Sequence, residues 1–439
     1  MQKLQVKANK KTLVYLIIFV YTALNGILRK WVFINNYAVG NVLFFAQLLS
    51  PYFFILVDSE GAKKIFNSKW VGAFFFVLLI EAFNPLQLTI IHGLIGFLLH
   101  FGFWFAALYY VENRDLIELE KMIGIFVIIA FTELILSFMQ YSLPKDNFLN
   151  RYAEERNVGG IIAEVGESVR VTGTFSYISG FSAYLIFHAY FVWASVKLQY
   201  RPYITLTLMI GGLICGFMNG SRGATMVYEL IMGFFIVFEA RKSNIGSFLG
   251  KLIIPGVVLT LIILARGQLG IESNVTTAYA NYDQRLQSGI ESGEQKSRMF
   301  HDFYALANFR GNYPFFGVGI GATYQGNNAL FGKSPYVEEY GFIESELERY
   351  VLEGGFLLLF FRIAITIYFC SKLVVPFLAK WLIGGLLFMT PIVFNSYNAI
   401  FSFIGITILD QVYLREQISR RTRLDKQREL SFKLKKSSA

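Results

Sequence analysis

The sequence predicts an all-α polytopic membrane protein of about twelve transmembrane helices with one large outer loop. Three observations lead to this. Of 439 residues, 55% are hydrophobic and only 16% charged, and the mean hydropathy of +0.48 is far too high for a soluble globule of this size. The apolar residues fall in runs that match the roughly 17–25 residues a helix needs to cross a bilayer core. The formal net charge of +10 is confined to the two ends.

The charge sets the topology. Residues 1–11 carry Lys3, Lys7, Lys10 and Lys11 with no acid, and from Arg415 onward nine basic residues oppose Glu416, Asp425 and Glu429. These two clusters account for the whole excess. Basic ends beside the first and last spans predict two cytoplasmic termini. No basic surface is left over to argue for nucleic acid.

Taken in order, the expected spans are 12–28, 37–57, 70–84, 88–110, 119–142, 174–196, 203–220, 223–240, 249–265, 346–369, 374–394 and 398–414. The even number agrees with two cytoplasmic ends. Connectors assigned inside carry Lys63, Lys64 and Lys69, Arg114 and Lys121, Lys197 and Arg201, Arg241, Lys242 and Lys251, and Lys372. Those assigned outside are either short and nearly uncharged or long, and long loops escape the charge rule. The first span lacks a small-residue cleavage site and is followed by Arg29-Lys30-Trp31, which reads as a retained span with an interfacial anchor. The expected organisation is a single membrane domain over 1–439. It has a smaller outer loop at 143–173, a large outer loop with short helices at 266–345, and a basic cytoplasmic tail at 415–439.

The outer face is where chemistry on a water-soluble group can be done. Its charges are mostly arginines at span ends: Arg170, Arg222, Arg298 and Arg349. Guanidinium groups stay protonated and bind phosphate in a bidentate fork, so converging arginines would make a diphosphate clamp. The plainer reading of each is an interfacial anchor. Arg222 stands out because Gly220-Ser221-Arg222-Gly223 is a tight turn at the head of the following helix, where main-chain N–H groups also attract anions.

Glu344 and Glu346 flank Ser345 where the large loop meets the next span. One of them could take a proton from an acceptor hydroxyl as general base; the alternative is an ordinary helix cap. Glu346, Arg349 and Glu353 repeat at helical spacing and share a face. Glu81, Glu133, Glu229 and Glu353 fall in the outer halves of their spans, and intramembrane acids mark a polar interior by default. Arg362 and Asp410, nearer the inner side, are expected to pair.

His92, His100 and His188 lie in spans and read as packed or hydrogen-bonded, whereas His301 lies on the outer loop. Cys215 and Cys370 lie in apolar runs and read as buried small hydrophobes. No His, Cys or Asp arrangement has metal spacing, so no metal and no cofactor is expected. Gly317, Gly319 and Gly321 are expected to form a flexible turn that brings backbone close to a ligand. Phe300, Phe303, Tyr304, Phe309, Tyr313, Phe315 and Phe316 read either as sugar-stacking rings or as an amphipathic segment on the bilayer.

The order VRVTGTFSYISGFSAYL, NGSRGATMVYELIMGFF, SRMFHDFYALANFRGNYPFFGVGIGATY and ESELERYVLEGGFLLLFF resembles the bacterial O-antigen ligase and polymerase superfamily over residues 165–365. That resemblance implies a GT-C-type glycosyltransferase of the bacterial inner membrane that acts on its outer, periplasmic face, which would make the loops at 143–173 and 266–345 periplasmic. It would take a glycan from an undecaprenyl diphosphate carrier. Ligase members carry a histidine near the end of the large loop, where this chain reads FIESELERYVLEGG. The run Ser345, Glu346, Arg349, Glu353 and Gly355 therefore looks more like polymerase members, which lengthen a polysaccharide for the cell envelope. In that mechanism Arg222, with Arg298, Arg170 and Arg349, holds the leaving diphosphate, and Glu344 or Glu346 handles the acceptor hydroxyl, in a single displacement with inversion. The implied partners are the lipid-linked glycan, the bilayer, and a chain-length regulator or other assembly proteins. The alternatives are ligase-type transfer, a transporter or flippase of polar or lipid-linked solutes, and a non-catalytic scaffold.

Overall fold

The computed structural model describes residues 2–114, 116–153, 163–165, 168–240, 271–293, 304, 306–307, 312–324, 334–340 and 345–437. The chain opens with α1 (Gln2–Ile27), prolonged by a π-helical turn at Leu28–Val32. The next helix, α2 (Tyr37–Leu49), is capped by the Asn36 side chain, which accepts from Val39 N–H at 3.2 Å. It continues through a 3-10 turn into α3 (Phe54–Val57). The short α4 (Ser59–Lys64) leads to α5 (Lys69–Ala82) through a bend of 97°. Two long helices follow, α6 (Ile90–Glu112) and α7 (Leu119–Ser142), then a two-residue hairpin of β1 (Glu164–Val165) and β2 (Ser168–Val169).

Beyond the hairpin come α8 (Ile178–Lys197), α9 (Pro202–Asn219), α10 (Arg222–Ala240), α11 (Ile271–Glu291) and α12 (Pro335–Tyr340). The chain ends with α13 (Glu346–Lys372), α14 (Phe377–Met389) and α15 (Ser396–Ser437). Among the described residues, seven helices are long and apolar enough to cross a membrane, or eight if the bent pair forms one span. The protein is all-α and of multi-pass membrane character. At the expected 174–196 and 223–240 the structure has α8 and α10, outside that set of seven, and at 374–394 only the 13-residue α14. The expected span at 249–265 lies outside the described residues.

The helix α8 is apolar on every side, so it is buried on every side. It packs against α15, whose membrane window is 94% enclosed. Phe187 of α8 lies 4.8 Å from Phe19 of α1, 5.3 Å from Phe126 of α7 and 5.7 Å from Phe401 of α15. This aromatic centre ties four helices together.

Ion pairs divide the connectors into two groups. At one end of the bundle Lys11 meets Asp58 at 2.8 Å, Arg415 meets Glu120 at 2.5 Å, Lys197 meets Glu416 at 3.0 Å, and Lys372 meets Glu112 at 3.4 Å. At the other end the 313–324 loop docks on the α5–α6 connector, and Arg29 and Lys30 meet the segment after β2. Connectors that alternate in sequence thus collect at opposite ends.

Along α13 the helix breaks at Gly355, whose φ of 66° is open to glycine alone at little cost. The break frees main-chain groups, and the loop takes them. Val318 N–H donates to Leu352 O at 2.9 Å and Gly319 N–H to Glu353 O at 2.8 Å, while Phe356 N–H donates to Pro314 O at 2.8 Å. Ile320 N–H reaches Glu81 O at 3.3 Å. Non-helical backbone inside a membrane protein persists where protein satisfies it in this way.

The expected pairing of Arg362 with Asp410 does not form. Arg362 lies 4.4 Å over the Trp104 ring, donates to Leu387 O at 2.8 Å, and faces Glu346 at 3.9 Å. Asp410 instead accepts from Tyr110 OH at 2.8 Å and from the N–H groups of Val374 and Val375, capping the junction between α13 and α14. Cys215 and Cys370 are free and buried, as their surroundings predict.

Candidate functional site

The segment after β2 reads RVTGTFS, and its polarity within an apolar neighbourhood makes every main-chain group need a partner. The partners come from three helices. Gln140 of α7 accepts from Thr172 N–H at 3.1 Å and Gly173 N–H at 2.8 Å. Glu133, one turn pair earlier, accepts from Thr174 N–H at 3.0 Å and from the Thr174 hydroxyl. Lys30 donates to the Thr172 hydroxyl at 3.0 Å and to Gly173 O. On the α9 side, Asn219 donates to Val171 O at 2.7 Å. Gly173 has φ +55°, and a Cβ there would sit 1.9 Å from Glu133 Oε2, so the tight approach requires glycine. The turn is therefore held between the side chains of Lys30 and Glu133, and Arg170 stands at its head.

Three arginines gather where α9 ends. Gly220, in the left-handed conformation, closes α9, and Arg222 opens α10 two residues later. Arg222 donates to Arg285 O at 3.1 Å, Arg285 donates to Gly220 O at 3.2 Å, and Arg170 Nε donates to Asn219 O at 2.9 Å. The negative end of the α9 dipole and its last carbonyls compensate part of this positive charge. Burial, then the charge of neighbouring Arg285, brings Arg170 down to about 10, still fully cationic at neutral pH. Among the described residues no carboxylate forms an ion pair with Arg170. The Arg222 guanidinium lies against α11 so closely that a Cβ on Gly289 would be 1.7 Å from Nη1. Nearby, Tyr282 is pushed up to about 12 by burial and by Glu229.

Of the expected clamp residues, Arg170 and Arg222 come together. Arg285, which they join, carries no local motif; its one sequence signal is being the sole basic residue of α11. Arg298 and Glu344 lie outside the described residues, as does His301. Arg349 belongs to a different group. Fully buried, it faces Glu353 Oε1 at 3.7 Å and donates to the Thr323 hydroxyl at 3.1 Å. Glu353 also takes His100 Nε2 at 2.7 Å, Gly321 N–H at 2.9 Å, Thr323 N–H at 3.1 Å and the Thr323 hydroxyl at 2.5 Å. This carboxylate is the post to which the 317–323 loop is tied.

Glu346 is likewise buried, accepting from Val393 N–H at 3.1 Å beside Arg362. Ser345 caps α13 by accepting from Glu348 N–H at 3.1 Å. The expectation that GVGIGAT forms a flexible turn open to a ligand is corrected. Gly317, Gly319 and Gly321 all have positive φ, but a Cβ on Gly317 would meet Glu353 and Gly354 backbone at 2.5 Å, and one on Gly321 would meet His92 O at 2.4 Å. Their close approach is to the protein's own helices. Of the expected aromatic residues, Phe315 and Phe316 remain 59% and 49% exposed beside this docked loop, whereas Phe300, Phe303 and Phe309 lie outside the described residues.

No family model, curated protein or solved structure matches this chain.

Proposed function

We propose that this chain is a membrane-embedded glycosyltransferase that polymerises lipid-linked oligosaccharide repeat units, as its resemblance to O-antigen polymerases implies. In this reading about twelve spans of GT-C type sit in the bacterial inner membrane, with both termini cytoplasmic and the site facing outward. The observation that carries it is the grouping of Arg170, Arg222 and Arg285 at one end of the bundle. Three fixed cations on rigid elements suit a diphosphate whose charge grows as it leaves. The acceptor hydroxyl oxygen attacks the anomeric carbon, the bond from that carbon to the diphosphate oxygen breaks, and the electron pair stays with the diphosphate. Inversion follows from one displacement. The hydroxyl proton passes to a carboxylate, and with Glu346 engaged by Val393 N–H, Glu344 is the acid this reading assigns.

Intramembrane acids favour a transporter instead, yet Glu133 and Glu353 both hold loop backbone. That supports a built outer site over a relay. The experiment is reconstitution of purified protein in liposomes with a short glycan on undecaprenyl diphosphate. A ladder of longer lipid-linked products, lost in Arg222→Ala, is expected; transfer to a different acceptor would identify a ligase, and movement of the glycan across the membrane without transfer would identify a transporter.

A further inference from the structure

Beside the arginine group lies a pair of tyrosines with an uneven arrangement. Tyr152 is 4% exposed and Tyr177 44%, and their rings meet edge to face with centroids 5.1 Å apart. Both belong to the surroundings of Arg170. The Tyr152 hydroxyl donates to Arg170 O at 3.3 Å, and Ala153 N–H donates to Ser176 O at 3.1 Å, so the two tyrosine-bearing strands of loop are pinned together. Tyr177 also occupies the N-cap of α8 without a side-chain cap bond, at a position where Ser, Thr, Asp or Asn is favoured. Its ring packs against Tyr152 instead of capping the helix. On its N-terminal side, the Ser176 hydroxyl shares a hydrogen bond with Tyr397 OH at 2.8 Å and receives Arg29 Nη1 at 3.3 Å. An aromatic surface thus lies between a guanidinium cluster and a set of hydroxyl and guanidinium donors.

We propose that Tyr177, backed by Tyr152, is the stacking platform for the sugar ring joined directly to the diphosphate. A pyranose has an apolar C–H face that suits the electron-rich face of an aromatic ring. Its ring hydroxyls would face the half-buried Arg29 guanidinium, with Ser176 already engaged by Tyr397 and Arg29, while the attached diphosphate reaches Arg170, Arg222 and Arg285. This inference rests on the diphosphate reading and names the substrate group next to it.

The test is a titration of full-length protein in nanodiscs with two probes, farnesyl diphosphate and farnesyl diphosphate bearing one hexose. The wild type should bind the sugar-bearing probe about tenfold more tightly, and Tyr177→Ala should bring that ratio to about one with the bare probe unchanged. Tyr177→Phe and Tyr177→Trp should keep the preference. An unchanged ratio in Tyr177→Ala overturns the platform, and so does an equal loss for both probes, which would mark Tyr177 as structural. If the wild type binds neither probe, the diphosphate reading fails as a whole; if it binds both equally, only the platform fails.

Discussion

Arg222 and Arg285 hold each other through the chain rather than through charge: Arg222 Nη1 donates to the Arg285 carbonyl at 3.1 Å, and Arg285 Nη1 donates to Gly220 O, two residues before Arg222, at 3.2 Å. The Arg222 guanidinium is aimed by the Arg285 carbonyl, and the Arg285 guanidinium by the Gly220 carbonyl at the turn that leads to Arg222. Arg285→Ala should therefore cost as much diphosphate affinity as Arg222→Ala, about ten- to a hundredfold, from losing charge-assisted bonds and the orientation of the partner. Titration with farnesyl diphosphate checks this, and an Arg285→Ala variant that binds normally would remove it from the clamp.

The proposed clamp should also keep its charge well above neutral pH. Burial lowers Arg170 to about 10, so its cationic form is complete at pH 7 and is lost only as pH rises through about 10. A lowered pKa in the folded state also means that burying this charge opposes folding at every pH below that value. On the proposed function, a bound diphosphate would offset the cost. Affinity for farnesyl diphosphate is expected to be flat from pH 7 to 9, with ligand raising the melting temperature throughout. A decline centred near pH 8 would place a more acidic group in the clamp.

Glu353 should matter to stability more than its distance from the arginine group would imply. Its removal leaves Arg349 and His100 buried without their carboxylate, a situation that costs about 3–5 kcal/mol in comparable buried pairs. Glu353→Ala is expected to melt well below wild type in detergent, with Glu353→Gln between the two. Equal melting temperatures for all three would show that the network contributes nothing.

Gly355→Ala tests the helix break. The added Cβ would lie 2.1 Å from Phe315 O at a φ of 66°, whereas one on Gly385 would meet nothing within 4 Å. Thermal unfolding should separate the two alanine variants clearly, with Gly385→Ala near wild type.

Much of the fold was legible because bilayer spans write themselves in contiguous apolar residues, a local signal. Arg222 was legible for the same reason, since Gly220 and Ser221 announce a turn. Arg285 was not, because nothing within α11 says which helix it packs against. Arg349 and Glu353 show identical spacing whether they face a cavity or each other, and only the burial of both separates the cases. Arg362 and Asp410 looked like partners because opposite charges in an apolar setting invite pairing. The sequence carries no measure of depth, and the main-chain N–H groups of Val374 and Val375 reached the aspartate first.

The break in α13 bears on how the protein is assembled. The main-chain groups released around Gly355 are satisfied by residues 314–319, and the adjoining Ile320 is held by the end of α5, all of which leave the ribosome earlier. The broken helix therefore completes its hydrogen bonds only where the preceding loop has folded back onto it. Helix and docked loop fold as one unit, and lesions in either half should surface as the same loss of stability.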